Sequence, residues 1–333
     1  MTQGNAMGNS NDVLVKRSTE GENFVVNALT SQYVLVVFLI IEIAIFSFLS
    51  PEFFTAPNLL NMGKHMAVLG IVSVGATFGL ISGAVDLSVG SVIALSGMIG
   101  AWLLKMEQPA IVAIVGSLGF CLLVGIINGL VVTKLKVNPI VATLGMMGIA
   151  RGLALIWTGA RGMPIRDDLY NFFQGKLGVF SWPLILLVFV FIVGYVVLSH
   201  TRFGRYAFAV GGNSDASRAA AIPVDRLRIS YLAISGFLAG VSGWVLASMS
   251  GAATPAAAQG YELTVITAVI LGGVSLSGGR GSMTGTILGS LIIGVMVNGM
   301  TLHGIQSYYQ LMLQGLVLLI AVWVDSRRSG GYR

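Results

Sequence analysis

Charged residues are scarce in this sequence. They make up 10% of its 333 residues, against 55% hydrophobic residues, and the mean hydropathy is +0.87. A soluble domain carries about 25% charged residues, which it needs to cover a surface that faces water. The composition therefore excludes a soluble domain and indicates an integral membrane protein.

Cysteine and the motifs of catalysis are also lacking. The single cysteine, Cys121, excludes a disulfide within the chain. No His, Cys or acidic residues have the spacing of metal ligands. The nearest glycine-rich run, GGRGSMTG at 278–285, lacks the lysine of a phosphate-binding loop. We therefore expect no enzymatic activity, no metal and no cofactor on this chain, and nothing in the charge pattern predicts nucleic-acid binding.

Long apolar runs fill most of the sequence, and a membrane-spanning helix needs roughly 20 mostly apolar residues. The predicted fold is an all-α integral membrane protein, a polytopic bundle of about ten transmembrane helices in one domain, 33–325, between tails 1–32 and 326–333. Whether 82–91 is a loop or a re-entrant break stays open. The predicted spans are 33–50, 65–82, 88–105, 110–132, 139–158, 182–200, 229–250, 261–275, 283–300 and 307–324.

Lysine and arginine predict the orientation, because cytoplasmic loops are enriched in them. With the amino terminus inside, the inner segments hold thirteen of these residues and the outer segments five, while Arg151 lies within a span. We therefore predict a bacterial inner-membrane protein with both termini cytoplasmic. Loop 201–228 is predicted on the cytoplasmic side and loop 159–181 on the outside.

The basic stretch 201–230 is the longest part of the second half that cannot lie in lipid. Its Gly-Gly-Asn sequence at 211–213 favours a tight turn. Ser214 or Asp215 is predicted to cap a short surface helix within 213–222. A structured, basic loop between two spans is typical of a surface that meets a partner.

Polar residues inside the apolar runs are candidates for a translocation path. A carboxylate at the centre of a spanning helix costs about 2.5–3.5 kcal/mol, so Asp86 either caps a broken helix, helped by Ser88 and Ser91, or takes part in transport. Arg151 either reaches the interface or pairs with an acidic group. The remaining candidates either line the path or join helices by hydrogen bonds; they are Asn128, Asn138, Thr143, Glu262 and Asn298.

A short internal echo links two parts of the chain. Val85-Asp86-Leu87-Ser88 aligns with Val274-Ser275-Leu276-Ser277, and Gly90 or Gly279 follows shortly after. Membrane transporters often contain internal repeats. Chance remains an alternative explanation for so short a match.

Four motifs, in order, resemble the permease subunit of ABC importers for ribose, xylose, arabinose, galactose and related small polyols. The resemblance covers roughly 33–325. Ala221 and Ile140 stand where that family usually has Gly and Phe. The motifs are GLISGAVDLSVGSVIALSG, KLKVNPIVATLGMMGIARGLALIWTG, RFGRYAFAVGGNSDASRAAAIPVDRLRISYLAISGFLAG and ILGGVSLSGGRGSMTGTILGSLIIGV.

The resemblance implies import of a small monosaccharide, a pentose above all, by alternating access. It implies a separate ATPase that binds ATP and Mg²⁺, a periplasmic sugar-binding protein, and a second permease copy in a homodimer or like heterodimer within membrane lipid. In that family the loop matching 202–228 docks the ATPase. The residues expected to couple the two chains are Gly204, Arg205, Gly211, Gly212, Asn213, Asp215, Ala216, Arg218, Ala219, Ala220 and Ile222.

Other functions stay open from the residues alone. A relative could carry a nucleoside, an autoinducer-like sugar, a polyol or a branched-chain amino acid. A self-sufficient secondary transporter or channel would need coupling carboxylates, for which Asp86 and Glu262 are the candidates. A membrane scaffold that only anchors an ATPase is the third alternative.

Overall fold

A computed structural model describes residues 32–177 and 180–328. The predicted amino-terminal tail therefore lies almost wholly outside the described residues, as does 329–333. Within the described part there are thirteen helices and four two-residue strands. The helices are α1 (Gln32–Leu49), α2 (Ala56–Ile81), α3 (Val89–Lys105), α4 (Ala110–Lys134), α5 (Pro139–Thr158), α6 (Asp167–Gln174), α7 (Trp182–His200), α8 (Arg202–Gly212), α9 (Ser214–Ala219), α10 (Val224–Ser250), α11 (Tyr261–Leu271), α12 (Met283–Leu302) and α13 (Ser307–Arg328). The strands are β1 (Met163–Pro164), β2 (Lys176–Leu177), β3 (Phe180–Ser181) and β4 (Ala252–Ala253).

Each of the ten predicted spans overlaps one apolar helix, which confirms the all-α polytopic fold. Eight of the described helices are long and apolar enough to cross a membrane, whereas α3 and α11 are shorter. The prediction of a span over 261–275 was too long, because α11 ends at Leu271 and Gly273 then adopts a φ of +86°. The predicted tail at 326–333 also begins too early, since α13 continues to Arg328.

Two helices form the centre of the bundle. The apolar window of α2 is 89% buried and that of α10 is 72% buried, against 11% for α1 and 6% for α13. Helix α10 packs on α2, α3 and α4. Glycines allow this close packing: a Cβ added to Gly236 would lie 2.6 Å from the Cys121 carbonyl oxygen. The outer helices expose apolar side chains of the kind that lipid or another membrane chain covers.

Local sequence sets many helix ends. Asn138 caps α5, where its side chain accepts from the Ile140 N–H at 2.9 Å, and Pro139 occupies the first turn, where no donor is lost. Gly159 ends the same helix at a φ of +62°. Ser282 caps α12 by accepting from the Gly285 N–H at 3.0 Å.

The loops between the helices lie in two groups, one at each end of the bundle. At one end, the Gly279 N–H donates to the Ile81 carbonyl at 2.8 Å, so the loop after α11 meets the end of α2. At the other end, β1 pairs antiparallel with β4. This grouping is the one expected if the loop after α2, loop 201–228 and the loop after α11 share a membrane side. Which side faces the cytoplasm stays a prediction.

Two central helices are followed by non-helical breaks, and the same three-residue sequence, Ser-Gly-Ala, occurs at both junctions. Ser82-Gly83-Ala84 follows α2, and Ser250-Gly251-Ala252 spans the end of α10. Gly83 and Gly251 both have positive φ, +75° and +69°. We call 82–88 the first break and 251–260 the second break. Each break leads into one of the two short helices, α3 or α11, and the two breaks lie at opposite ends of the antiparallel pair α2 and α10.

Candidate functional site

The predicted coupling loop folds as two short helices, α8 and α9, rather than one. We call residues 201–223 the coupling segment. Thr201 caps α8 by accepting from the Gly204 N–H at 3.3 Å. The Tyr231 hydroxyl, on α10, donates to the Phe203 carbonyl at 2.7 Å. Gly204 is buried, and a Cβ there would clash with the Leu198 carbonyl oxygen, so this glycine positions α8 against α7.

Asn213 separates the two helices of the coupling segment. Its side chain accepts from the N–H groups of Asp215 and Ala216 at 3.0 and 2.9 Å, so Asn213, not Ser214 or Asp215, is the cap. The predicted tight turn at the diglycine is also wrong, because Gly211 and Gly212 are the last residues of α8. The extended backbone of Asn213, with a φ of −159°, makes the corner instead.

The outward face of α9 consists mainly of small side chains. Arg205 is exposed on α8. The exposed residues from the end of α8 to the end of α9 are Gly212, Asn213, Asp215, Ala216, Arg218, Ala219, Ala220 and Ala221. Ile222 turns back and packs on the core. Arg218 does not stand free at the edge of this face, since it donates to Asp225 at 2.5 Å. An exposed ion pair of this kind contributes about 0–1 kcal/mol.

Ala221 ends α9 in a conformation that favours glycine. Its φ is +58°. The Ile222 N–H donates to the Ser217 carbonyl and the Ala221 N–H to the Arg218 carbonyl, both at 3.0 Å, which is the paired bonding of a Schellman motif. Alanine pays roughly 1–2 kcal/mol for a left-handed backbone. Ala221, which stands where the family usually has glycine, is therefore a residue with a strained backbone.

Gly211 joins the coupling segment to two other parts of the chain. A Cβ on Gly211 would clash with the Ile81 carbonyl and lie 2.5 Å from the Gly279 nitrogen. The bond from Gly279 to Ile81 lies directly beneath it. The three backbones are therefore in contact, and the coupling segment lies against both the first break and the loop after α11. Gly212, by contrast, has no neighbour within 4 Å of such a Cβ.

The first break contains a buried polar network centred on Asp86. One carboxyl oxygen accepts from the Ser88 N–H and hydroxyl at 2.9 and 2.6 Å, and the other from the Ser235 hydroxyl of α10 at 2.7 Å. Asn128 of α4 donates to the Ser88 hydroxyl at 3.0 Å. All four side chains are almost fully buried. Asp86 thus bonds to the residue before α3 rather than to an N–H inside the first turn of that helix, whose N-cap residue Ser88 makes no side-chain cap. The geometry does not test the transport role.

The sequence echo at 274–277 forms a matching turn. The Ser277 N–H donates to the Ser275 hydroxyl oxygen at 3.3 Å, as the Ser88 N–H donates to Asp86. The carboxylate comes here from α13: Asp325 accepts from the Ser275 hydroxyl and the Leu276 N–H at 3.0 and 3.1 Å. Sequence reasoning missed Asp325, and the only available signal was the Asp-to-Ser difference between the echoed segments.

Arg151 and Glu262 lie along the second break. Arg151 donates to the carbonyls of Pro255 and Ala257, at 2.5 and 2.8 Å. Arg151 thus clamps backbone carbonyls and makes no salt bridge within the described residues, although Glu262 is an acidic group whose charge acts on it. One Glu262 carboxyl oxygen, Oε2, is shielded from solvent without a hydrogen-bond partner among the described residues. It lies over Gly90, where a Cβ would clash with it and would lie 2.7 Å from the Ala258 carbonyl oxygen.

The other candidates make local bonds. Thr143 is buried and donates within its own helix and to the Val85 carbonyl at 3.3 Å, which connects α5 to the first break. Ser91 is buried in the first turn of α3. Asn298 and Asn58 form a reciprocal amide pair at 2.9 and 3.1 Å. Asn138 is the α5 cap described above.

A cavity of about 340 Å³ lies between α3, α10 and the second break. None of its lining residues was predicted as a site residue. Most of the side chains that line it are small, and only those of Ser250 and Thr254 are polar. The sequence signal was present but weak: the alanine-rich stretch after α10 is too polar and too broken to continue a span. The lining residues are Ile93, Ala94, Gly97, Gly243, Leu246, Ala247, Ser250, Ala252, Ala253, Thr254, Ala257 and Ala258.

Comparison with known proteins identifies the family. Residues 58–322 match the family described as branched-chain amino acid transport system / permease component. The chain is 37% identical over 324 residues to the ribose import permease protein RbsC of Escherichia coli (strain K12), covering 95% of this chain and 100% of that protein. It is 39% identical over 294 residues to RbsC of Bacillus subtilis (strain 168), covering 87% and 91%. No solved structure matches the chain.

An arabinose permease is about equally similar. The L-arabinose transport system permease protein AraH of Escherichia coli (strain K12) is 38% identical over 304 residues, covering 90% of this chain and 91% of that protein. The chain therefore belongs to the permease-component family that contains these ribose and arabinose permeases. This confirms the resemblance read from its four motifs.

Proposed function

We propose that this family member is the permease subunit of an ATP-driven ABC importer, which moves a small monosaccharide across the inner membrane, with a pentose as the first candidate. Similarity to ribose and arabinose permeases along almost the whole chain supports the cargo class. The sequence has no phosphate-binding loop, so ATP and Mg²⁺ are assigned to a separate ATPase. This chain is then a non-catalytic translocation subunit.

The coupling segment is proposed as the docking surface for that ATPase. The single observation that carries the proposal is its geometry: an outward face with small side chains on α9, and a backbone contact at Gly211 with both Ile81 and Gly279. Small side chains allow a docking helix to approach its partner closely. A shift of α8 would reach the first break and the loop after α11 together, which suits an alternating-access transition.

The remaining partners follow from this orientation. With the coupling segment cytoplasmic, both termini are cytoplasmic and the β1–β4 end faces a periplasmic sugar-binding protein. A second permease copy, identical or alike, and lipid cover the apolar outer helices. Ala216→Cys in a Cys121→Ala background tests the orientation: a membrane-impermeant thiol reagent added to intact cells should leave it unlabelled, and labelling would reverse the assignment.

Ala220→Trp tests the docking role. In proteoliposomes with the ATPase and the binding protein, the variant should lose most sugar uptake and most stimulated ATP hydrolysis, because the indole keeps the two chains apart. Its thermal unfolding should match that of the wild type, since Ala220 is exposed. Ala56→Trp, at an exposed alanine at the opposite end, is the matched control. Wild-type uptake and hydrolysis in Ala220→Trp would refute the docking surface, and uptake driven by an ion gradient without the ATPase would favour a secondary transporter.

A further inference from the structure

The cavity at the second break is suited to a small neutral molecule. Its volume of about 340 Å³ lies at the lower end of the roughly 300–1,000 Å³ that is usual for ligand pockets. None of its lining side chains is charged. A zwitterionic amino acid would need a partner for its ammonium group and another for its carboxylate, and the cavity walls supply neither. Hydroxyls and carbonyls are the polar groups available.

The nearest cation is already engaged. Arg151 donates to the Pro255 and Ala257 carbonyls of the second break, and therefore has a structural role in holding this segment in place. A ligand carboxylate would have to compete with those bonds. This again favours a neutral ligand over an anionic one.

An unpaired acceptor lies next to the cavity. Ala258 lines the cavity. Its carbonyl oxygen and Oε2 of Glu262 both lie against Gly90. Gly90 is one helical turn from Ile93 and Ala94, which also line the cavity. Leaving a buried acceptor unpaired costs about 1–3 kcal/mol, so a donor that reaches Glu262 recovers this cost.

The second break has the exposure and the backbone strain of a segment that moves. Thr254, Ala256 and Gln259 are exposed, and Ala258 has a φ of +52° in a region that disfavours alanine. Oε2 is shielded in the present conformation. Glu262 is not itself a lining residue, so a ligand hydroxyl would reach Oε2 only if this segment shifted, which is the kind of change that alternating access requires.

We propose that the cavity bounded by α3, α10 and the second break is the binding site of the transported neutral polyhydroxylated molecule, and that Glu262 accepts its hydroxyl groups. The inference rests on the proposed function, which it deepens by assigning a site and a specificity-determining residue. Hydroxyl donors fit an unpaired carboxylate, and each charge-assisted hydrogen bond contributes to retention. Such a site distinguishes a polyol from an apolar amino acid.

Thiol protection tests the site directly. Ala257→Cys, in a Cys121→Ala background, places a reporter on the cavity wall without removing a polar group. D-ribose or L-arabinose should slow its labelling by a maleimide in proteoliposomes that hold the complete importer. A cysteine at exposed Glu52, outside the cavity lining, is the control and should label at an unchanged rate with or without sugar. In Glu262→Gln the half-protecting sugar concentration should rise roughly tenfold or more, as expected for a lost hydrogen bond to a charged acceptor.

Each outcome decides between the two proposals. Unchanged protection in Glu262→Gln removes the role of Glu262, and Glu262→Asp, which keeps the charge, should retain part of the protection if that role is real. Protection by L-leucine but by neither sugar overturns the polyol assignment. Normal sugar uptake with no protection of Ala257→Cys overturns this site while the proposed function stands. Absence of uptake of either sugar by the wild-type importer contradicts the proposed function itself.

Discussion

The sequence Ser-Gly-Ala occurs where each of the two breaks starts, but the breaks differ in almost everything that follows it. In the first break, Asp86 accepts three hydrogen bonds and lies among buried side chains. In the second, several residues are exposed, a cavity adjoins the backbone, and Glu262 has an unpaired oxygen. A break that is filled and hydrogen-bonded is suited to move as one rigid unit with the helices on either side of it. An open break with an unpaired acceptor is suited to admit a ligand.

Their positions reinforce this contrast. The end of α2, directly before the first break, touches the coupling segment through Ile81 and Gly211, whereas the second break lies at the end where β1 pairs with β4. The polar groups of the first break bond to other helices and so fix their distances. The second break is held through its backbone instead, by Arg151 of α5 and by the pairing of β4 with β1. The same local sequence therefore produces a connector at one end and a cavity wall at the other.

The largest expected effect is at the contact under the first break. Gly211→Ala should lower the free energy of unfolding by about 3 kcal/mol, the upper end of overpacking costs, because its Cβ would clash with the Ile81 carbonyl. Gly212→Ala, with open space around it, should unfold at the wild-type temperature or slightly above. Thermal unfolding in detergent measures both. Equal unfolding temperatures for the two variants would mean that the three backbones are not in rigid contact.

The carboxyl groups of the two breaks should respond differently to neutralisation. Asp86→Leu leaves buried donors of Ser88 and Ser235 without an acceptor, which should cost about 2–3 kcal/mol. Asp86→Asn should cost less, since its side-chain oxygen still accepts a bond. Glu262→Gln should leave stability unchanged or raised, because the carboxyl oxygen it replaces has no hydrogen-bond partner among the residues that the structure describes. Should Glu262→Gln unfold at a lower temperature than Asp86→Asn, the contrast between a bonded and an unbonded break is wrong.

The smallest expected effect on stability comes from relieving the backbone strain of two alanines with positive φ. Ala221→Gly, in the coupling segment, and Ala258→Gly, in the second break, should each stabilise the chain by about 0.5–1 kcal/mol, since relief of a left-handed alanine exceeds the added unfolded-state entropy. Ala219→Gly, inside α9, is the control and should destabilise by about 0.5–1 kcal/mol. If all three glycines lower the unfolding temperature alike, the positive φ values of Ala221 and Ala258 carry no strain.

Much of the fold was predictable because a membrane helix is recognised from the hydropathy of its own consecutive residues. Each of the ten predicted spans overlaps one apolar helix, and the errors were confined to helix ends and to the short α11. Among the candidate site residues, Asp86, Ser88 and Asn128 do lie together. Ser235, which donates to Asp86, was missed because it lies on another helix, 149 positions along the chain. No local periodicity links two such positions.

The coupling segment shows the same division on a smaller scale. Its surface position and small side chains follow from composition, but Asn213 rather than Ser214 became the cap. The diglycine is helical because Gly211 has to pack on Ile81 and Gly279, and that need outweighs its freedom to turn. Local propensity is a weak determinant when a tertiary contact leaves no room for a side chain.

The sequence alone determined that this is a helical membrane protein of an importer-permease family, since hydropathy over each span and four ordered motifs are properties of neighbouring residues. Only the tertiary structure decided that one break is filled and the other open. That difference arises from what α10, α4 and α13 present to each loop: Ser235 and Asn128 at the first break, Asp325 at its echo, and small cavity walls at the second. Such contacts depend on how helices distant in the chain pack, which no local pattern encodes.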